Sequence, residues 1–380
     1  MTKIVDQVQL SGRSPGTNRF LTVHRYGQAG ARPKVYIQAS LHADEIPGMM
    51  AAHHLIALLD QAEDKGAIRG EIIVVPAANP VGLAQVVNGF HVGRHDLGGL
   101  GNFNRNWMDL SAGLAEAVAD QLTQDGEKNV AVIRKAIGEK LSAKTVSGET
   151  PQLKLELMRL AFDADIVLDL HCDDDALMHI YMPPDQWEAY SDLAAELGAV
   201  ACLTSIDSGS FCFDEGFYTP WIKLQQHYGD KFPIPTACCN STVELRGQAD
   251  VSDELGSQDA QALYRFLQRH SLIAGAAGAP PALQCAATPL DAADVIEAPM
   301  PGILAYRVEL GDRVRKGDLI AELIDPIAPE VARARIRITA ANDGFVLARR
   351  LHKMVTAGDT VAMIVGTESL KHRQEKLMTD

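Results

Sequence analysis

Over residues 1 to about 285, short apolar runs alternate with stretches of helical periodicity. The runs are rich in Val, Ile and Leu and predict strands over 34–40, 72–76, 166–171, 199–204 and 241–245. Between the first two, Gly48 to Asp60 places Met50, Leu55, Leu58 and Leu59 at the spacing of an amphipathic helix. A longer helical region covers roughly Leu110 to Phe162, with a break near Ser147-Gly148. Strands alternating with helices predict a layered α/β fold. The stretch Ala274 to Pro281 is built from Ala, Gly and Pro and reads as a linker. Beyond it come short strands and Gly-Asp turns with an internal repeat. Val314-Arg315-Lys316-Gly317-Asp318 parallels Val355-Thr356-Ala357-Gly358-Asp359, and Ala298 to Gly302 parallels Ala340 to Gly344. Two such halves predict a β-sandwich with pseudo-twofold symmetry.

At 380 residues the chain is long enough for a large core and more than one domain. A composition that is 47% hydrophobic and 22% charged is that of a soluble globular protein. The net charge of −14 argues against nucleic acid as a partner, because phosphate binding needs a basic face. Met1 to Leu10 mixes Lys3 and Asp6 with other polar residues, unlike a signal peptide. No apolar run approaches the ~20 residues needed to span a bilayer. Cys172, Cys202, Cys212, Cys238, Cys239 and Cys285 form no C-x-x-C pair and read as reduced thiols. The expectation is a cytoplasmic protein without membrane partners.

Candidate chemistry lies at two strand ends. His42-Ala43-Asp44-Glu45 follows the first run, and His171 ends the run Ile166-Val167-Leu168-Asp169-Leu170. Two imidazoles and one carboxylate hold zinc with a position left open, the ligand set of a hydrolytic site. Asp169 precedes His171 by two, so on a strand both share a face and the acid can orient the ring; a simple strand-end acid is the competing reading. Asp173, Asp174 and Asp175 follow His171. They read either as a solvated loop or as carboxylates that recognise a cationic group on a substrate. His53, His54, His179 and His227 are read as packing or surface residues. The segment Asp207 to Tyr218, rich in Gly, Ser, Phe and acids, is expected to form a pocket wall.

Further fragments follow in order: Asn79-Pro80, Asn102-Phe103-Asn104-Arg105-Asn106-Trp107, Asp169-Leu170-His171 and Thr242-Val243-Glu244-Leu245. With the H-x-x-E pair they resemble the M14-like zinc carboxypeptidase superfamily. The resemblance is closer to its succinylglutamate desuccinylase/aspartoacylase branch and covers most of residues 35–250. It implies a mixed central sheet with helices on both faces, and one zinc ion per chain held by His42, Glu45 and His171. Glu244 matches the catalytic carboxylate that moves the proton. Asn104-Arg105 matches the pair that grips a substrate carboxylate, a task suited to the planar arginine fork. Arg94 is assigned to the oxyanion, against the competing reading of a surface arginine; His91 and His95 share its loop.

Ala298-Pro299-Met300-Pro301-Gly302, with Gly311-Asp312 and Gly317-Asp318, resembles the biotinyl/lipoyl carrier fold. Gly317 to His352 contains no lysine, so nothing there can be biotinylated or lipoylated. The expected units are a catalytic domain over 1–285 and an all-β barrel or sandwich module over 286–380. The expected activity is a zinc-dependent amidohydrolase that removes an acyl group from a small N-acyl amino acid or related amine. The alternatives are a metallocarboxypeptidase acting on short peptides and a binding or scaffold protein with a vestigial zinc site. A small-molecule substrate and a homo-oligomer complete the expectation.

Overall fold

The apolar runs are strands of one sheet. A computed structural model describes residues 3–209 and 211–373; the outer ends of both expected units, and Ser210 of the expected pocket wall, lie outside the described residues. Strands β1 (Ile4–Leu10), β2 (Arg19–Tyr26), β3 (Lys34–Ala39), β4 (Glu71–Val75), β5 (Ile166–Asp173), β6 (His179–Met182), β7 (Ala201–Thr204), β8 (Cys239–Gly247) and β9 (Ala287–Pro289) lie in the order β1-β2-β4-β3-β5-β8-β6-β7-β9. Neighbours β4, β3, β5 and β8 run parallel. The pairs β1–β2, β2–β4 and β8–β6 are antiparallel, so the sheet is mixed.

Helices α1 (Pro47–Asp64), α2 (Leu114–Val118), α3 (Gly126–Ala143), α4 (Glu149–Ala161), α5 (Trp187–Leu197), α6 (Glu215–Tyr228) and α7 (Asp253–Arg269) cover the sheet. Alternation along β3 divides the core in two. Val35, Ile37 and Ala39 pack with Leu55 and Leu59 of α1 and Phe266 of α7. Tyr36 faces the other way, into a cluster with Leu153 of α4 and Phe213 and Trp221 at α6. Each such side chain contributes about 1.5–3 kcal/mol when fully buried.

The helical region expected over 110–162 is three helices. One helix ends at Ala143 with Lys144 extended, and Gly148, with φ of 95°, precedes the first turn of the next. A second break, before α3, is fixed by Asp125, whose side chain caps the Lys128 N–H. Strand β1 escaped the hydrophobic pattern because it is an edge strand that leaves most of its residues open to solvent. The second half of the expected pocket wall is the first turn of α6, a helix disguised by an internal proline, Pro220.

Beyond residues 274–281, which have no regular helix or strand, the chain forms β10 (Ala293–Glu297), β11 (Gly302–Tyr306), β12 (Arg313–Val314), β13 (Leu319–Ile324), β14 (Arg335–Thr339), β15 (Gly344–Arg349), β16 (Met354–Val355) and β17 (Thr360–Val365). The repeat is visible in the pairing. The unit β11-β12-β13 recurs as β15-β16-β17, and the halves exchange short strands: β12 pairs with β15, and β16 with β11. A Cβ on Gly344 would sit 2.3 Å from the Val365 carbonyl oxygen, so this crossing admits only glycine.

These strands do not stand apart from the large sheet. Strand β9 belongs to the sheet itself, and Asp175–Ala176 pairs with Arg349–Ala348 of β15. One apolar cluster joins Ala201 and Leu203 of β7 to Leu290, Leu347 and Val365. Among the described residues, no helix is long and apolar enough to cross a membrane.

Candidate metal centre and active site

The chain leaves β3 through Ser40, whose φ of 62° turns the backbone sharply toward His42. Gly93 presses on this turn: its carbonyl accepts the Ala43 N–H at 3.1 Å, and a Cβ on it would meet the Asp44 nitrogen at 2.4 Å. The turn and the end of β5 bring His42, Glu45 and His171 together, all buried, with donor atoms within 4.8 Å of one another. The Glu45 carboxylate lies between the rings. Its Oε1 is 2.9 Å from His42 Nδ1 and its Oε2 is 2.7 Å from His171 Nδ1.

Each ring's other nitrogen is held from behind. Asn102 Oδ1 accepts the Asn104 backbone N–H at 2.8 Å, which fixes the orientation of that amide. It therefore also accepts from His42 Nε2, 2.8 Å away, leaving the His42 lone pair on Nδ1. His171 Nε2 lies 2.9 Å from Asp169 Oδ2, an ion contact that is off-line for a hydrogen bond. Asp169 is anchored in turn by Gln38 Nε2 at 2.9 Å, and Gln38 by the Tyr36 hydroxyl. Two Nδ1 donors with their opposite nitrogens fixed, plus a carboxylate, fit a divalent ion such as zinc with a position left open.

Charges in this cluster shape one another. Burial opposes ionisation of Glu45, but the two imidazoles hold its carboxyl well below the usual range. Burial likewise opposes charge on His171, but Asp169 and Glu45 hold it well above the ordinary imidazole value. His42 is lowered, chiefly by burial.

Glu244 lies on β8 in register with His171. Val243 and Leu245 on either side point into the core, which turns Glu244 to the opposite face and into a cavity of about 700 Å³ that also contains the three donors. Burial, helped by Glu45 and Asp173, pushes its carboxyl well above the usual range. Half-exposed Arg94 reaches over the cluster, its Nη1 3.1 Å from Glu45 Oε1. Its loop is pinned through Asp96, which takes Arg13 Nη2 at 2.9 Å and the Thr150 hydroxyl at 2.8 Å.

Asn104 and Arg105 also line the cavity. Asn104 Oδ1 accepts the Phe213 N–H at 2.8 Å, fastening the 211–213 segment beside the site. Lys154 Nζ donates to the Arg105 carbonyl at 2.6 Å and holds that residue's backbone. The expected wall 207–218 does border the cavity, through Ser208, Cys212, Asp214, Glu215 and Tyr218. Asp214 is buried, and that burial, with Glu215 and Asp169 nearby, pushes its pKa up to about 7.

The acidic run divides. Asp175 pairs with Arg349, Nη2 to Oδ2 2.9 Å, and Asp174 lies 3.4 Å from Arg350 Nη1. Asp173 and Asp174 line the cavity, whereas Asp175 does not border it. Sequence reasoning missed that Arg350, His352 and Met363 of the C-terminal strands wall the same cavity. Nothing local in their sequence marks them, and the acidic partner of Arg350, Asp174, lies 176 residues away. It also missed Asn102, for which the dense Asn102–Asn106 run was a signal.

Residues 31–270, more than half of the chain, match the model of the succinylglutamate desuccinylase/aspartoacylase catalytic domain. The N-alpha-acetyl-L-2,4-diaminobutyric acid deacetylase of Halomonas elongata is 25% identical over 348 residues, covering 88% of this chain and 82% of that protein. A succinylglutamate desuccinylase/aspartoacylase-type structure from Shewanella frigidimarina superposes with a TM-score of 0.83 at 23% identity, covering 96% and 97% of the two chains. The product-bound ectoine utilization protein EutE (DoeB) of Ruegeria pomeroyi superposes with a TM-score of 0.65 at 17% identity, covering 96% and 95%. At these identities the two structures establish a shared fold.

Proposed function

Because the chain belongs to the succinylglutamate desuccinylase/aspartoacylase family, deacylases that hydrolyse amide bonds of N-acyl amino acids, we propose a zinc-dependent enzyme that removes an acyl group from a small N-acyl amino acid or related amine. The observation that carries this reading is the aim of both Nδ1 atoms at Glu45 while Asn102 and Asp169 hold the far nitrogens. His42, Glu45 and His171 would hold the ion. A zinc ion there supplies Lewis acidity toward a carbonyl oxygen and acidifies water to a pKa of about 7.

The chain's own residues do the rest. Glu244 accepts the proton of the attacking water on its carboxylate and passes it to the leaving amine nitrogen. Arg94 donates to the oxygen on which negative charge develops. Arg105 anchors a substrate carboxylate, with Asn104 fixing the segment beside it. Asp174 and Asp175 bind the C-terminal arginines, which leaves Asp173 to meet a cationic group. A free amine of that kind is present in the diaminobutyric acid derivative named for the Halomonas relative. Neutralising Asp173 should raise KM for amine-bearing substrates more than for neutral analogues.

Residues 1–285 act in this proposal as the catalytic unit, and 286–380 as a lipoyl-like wall over the cavity. A cavity that Arg350 and His352 help to line favours a small substrate over an extended peptide. The test is a screen of N-acetyl, N-succinyl and N-formyl derivatives of amino acids and diamines, with wild type and Glu244→Gln. Glu244→Gln should keep its zinc and lose at least ~100-fold in kcat. Unimpaired turnover by that variant would refute the role of Glu244.

A further inference from the structure

Glu244 has a second neighbour in the sheet, and the sequence reading of it as mere packing changes with the structure. In the strand register, Glu244 on β8 lies opposite His171 on one side and His179 of β6 on the other. Such registered partners carry their side chains on the same face, about 4.5–5.5 Å apart at Cβ. The His179 ring lies edge-on to Tyr181, centroids 5.4 Å apart, and Tyr181 lines the cavity, which confirms the face. His179 itself is fully buried.

Its protonation pattern follows from one contact. Nδ1 is 2.8 Å from the Leu177 carbonyl oxygen, which can only accept, so Nδ1 carries the proton and Nε2 presents a lone pair. Burial keeps the ring neutral. Among the described residues no group bonds His179 Nε2, and none bonds the buried Oε2 of Glu244. With Glu244 as the ionised carboxylate that takes a proton from water, these are two adjacent buried acceptors, which cannot satisfy each other. A single water can, because it brings two donors.

We propose that His179 is a positioning residue for Glu244, acting through one buried water that donates one hydrogen to Glu244 Oε2 and the other to His179 Nε2. The inference rests on Glu244 being the carboxylate that handles the proton. Pinning Oε2 leaves Oε1 to face the cavity in one rotamer. The anchor runs further, because the Leu177 N–H donates to the Leu347 carbonyl of β15 at 3.1 Å. The C-terminal strands thus help to set the carbonyl that fixes the His179 tautomer.

The test uses the zinc-loaded full chain as wild type, His179→Phe and His179→Gln, assayed on the best substrate of the screen above. His179→Phe should lower kcat at least ~10-fold, with KM within about twofold and zinc content unchanged. His179→Gln, whose side-chain oxygen can accept from the same water, should recover most of the loss. Imidazole ¹⁵N NMR of wild type should show His179 protonated on Nδ1 and bare on Nε2. Undiminished kcat in His179→Phe, no recovery in His179→Gln, or a proton on Nε2 would each overturn the proposal. If His179→Phe fails to fold, the glutamine variant and the tautomer decide. The NMR measurement needs no substrate, so a failed screen would count against the enzymatic reading and leave the positioning claim to be judged separately.

Discussion

Asp169→Asn is isosteric, and the structure dictates what it would do. Gln38 Oε1 accepts the Tyr36 hydroxyl at 2.9 Å while its NH₂ faces residue 169, and turning the amide would cost that hydroxyl its acceptor. The favoured asparagine therefore keeps its oxygen on Gln38 and places its NH₂ where Asp169 Oδ2 faces His171 Nε2. The charge contact that favours a proton on Nε2 would be lost, and an N–H facing that nitrogen favours the proton on Nδ1, the atom that faces Glu45. Zinc would then bind only by reversing one of these arrangements. Loss of a carboxylate behind a ligating histidine costs about 10–100-fold in metal affinity, equivalent to about 1.4–2.8 kcal/mol. Zinc affinity would be read by competition against a chromogenic chelator, with thermal unfolding of the metal-free proteins as the control for folding. A zinc affinity within about twofold of wild type would refute the tautomer argument.

Other outcomes follow from single contacts. Arg349→Ala removes bonds to Asp175, Glu309 and the Val308 carbonyl; unfolding should ease by about 1–3 kcal/mol, and steady-state kinetics should show a raised KM with kcat little changed. Gly344→Ala forces a Cβ to within 2.3 Å of the Val365 oxygen, and should cost roughly 1–3 kcal/mol, with faster hydrogen exchange in β15 and β17. Asp214, at about 7 in the folded protein, retains a proton that the unfolded chain releases near pH ~4. Stability of the chelated protein should therefore fall as pH rises from about 4 to about 7, by about 4 kcal/mol for three pKa units, and then level off. Denaturant melts of Asp214→Asn across that window should lose this slope.

The three-donor cluster was legible because each part of it has a local signature. An H-x-x-E pair on the turn after one strand, and a histidine at the end of another, fix three donors once those strands are neighbours. Period-two alternation even placed Asp169 behind His171. The C-terminal repeat was legible for a similar reason, since Val314–Asp318 and Val355–Asp359 carry the same Gly-Asp turn at matching positions. What stayed hidden depends on pairing at long range. Asp174 and Asp175 look like a solvated acidic loop until Arg349 and Arg350 arrive from the last strands. His179 has no telling spacing in sequence; only the antiparallel register of β6 against β8 sets it beside Glu244. Helix ends within 110–162 were blurred because propensity runs evenly through the region and a single cap, Asp125, decides one of them.

The central claim is that His42, Glu45 and His171 share one zinc ion. An anomalous difference map collected at the zinc absorption edge, on crystals of the purified full chain, tests it most directly. A single peak per chain about 2.0–2.2 Å from His42 Nδ1, His171 Nδ1 and a Glu45 carboxylate oxygen is predicted. Zinc bound elsewhere, with no peak between these three side chains after soaking in the metal, would contradict it.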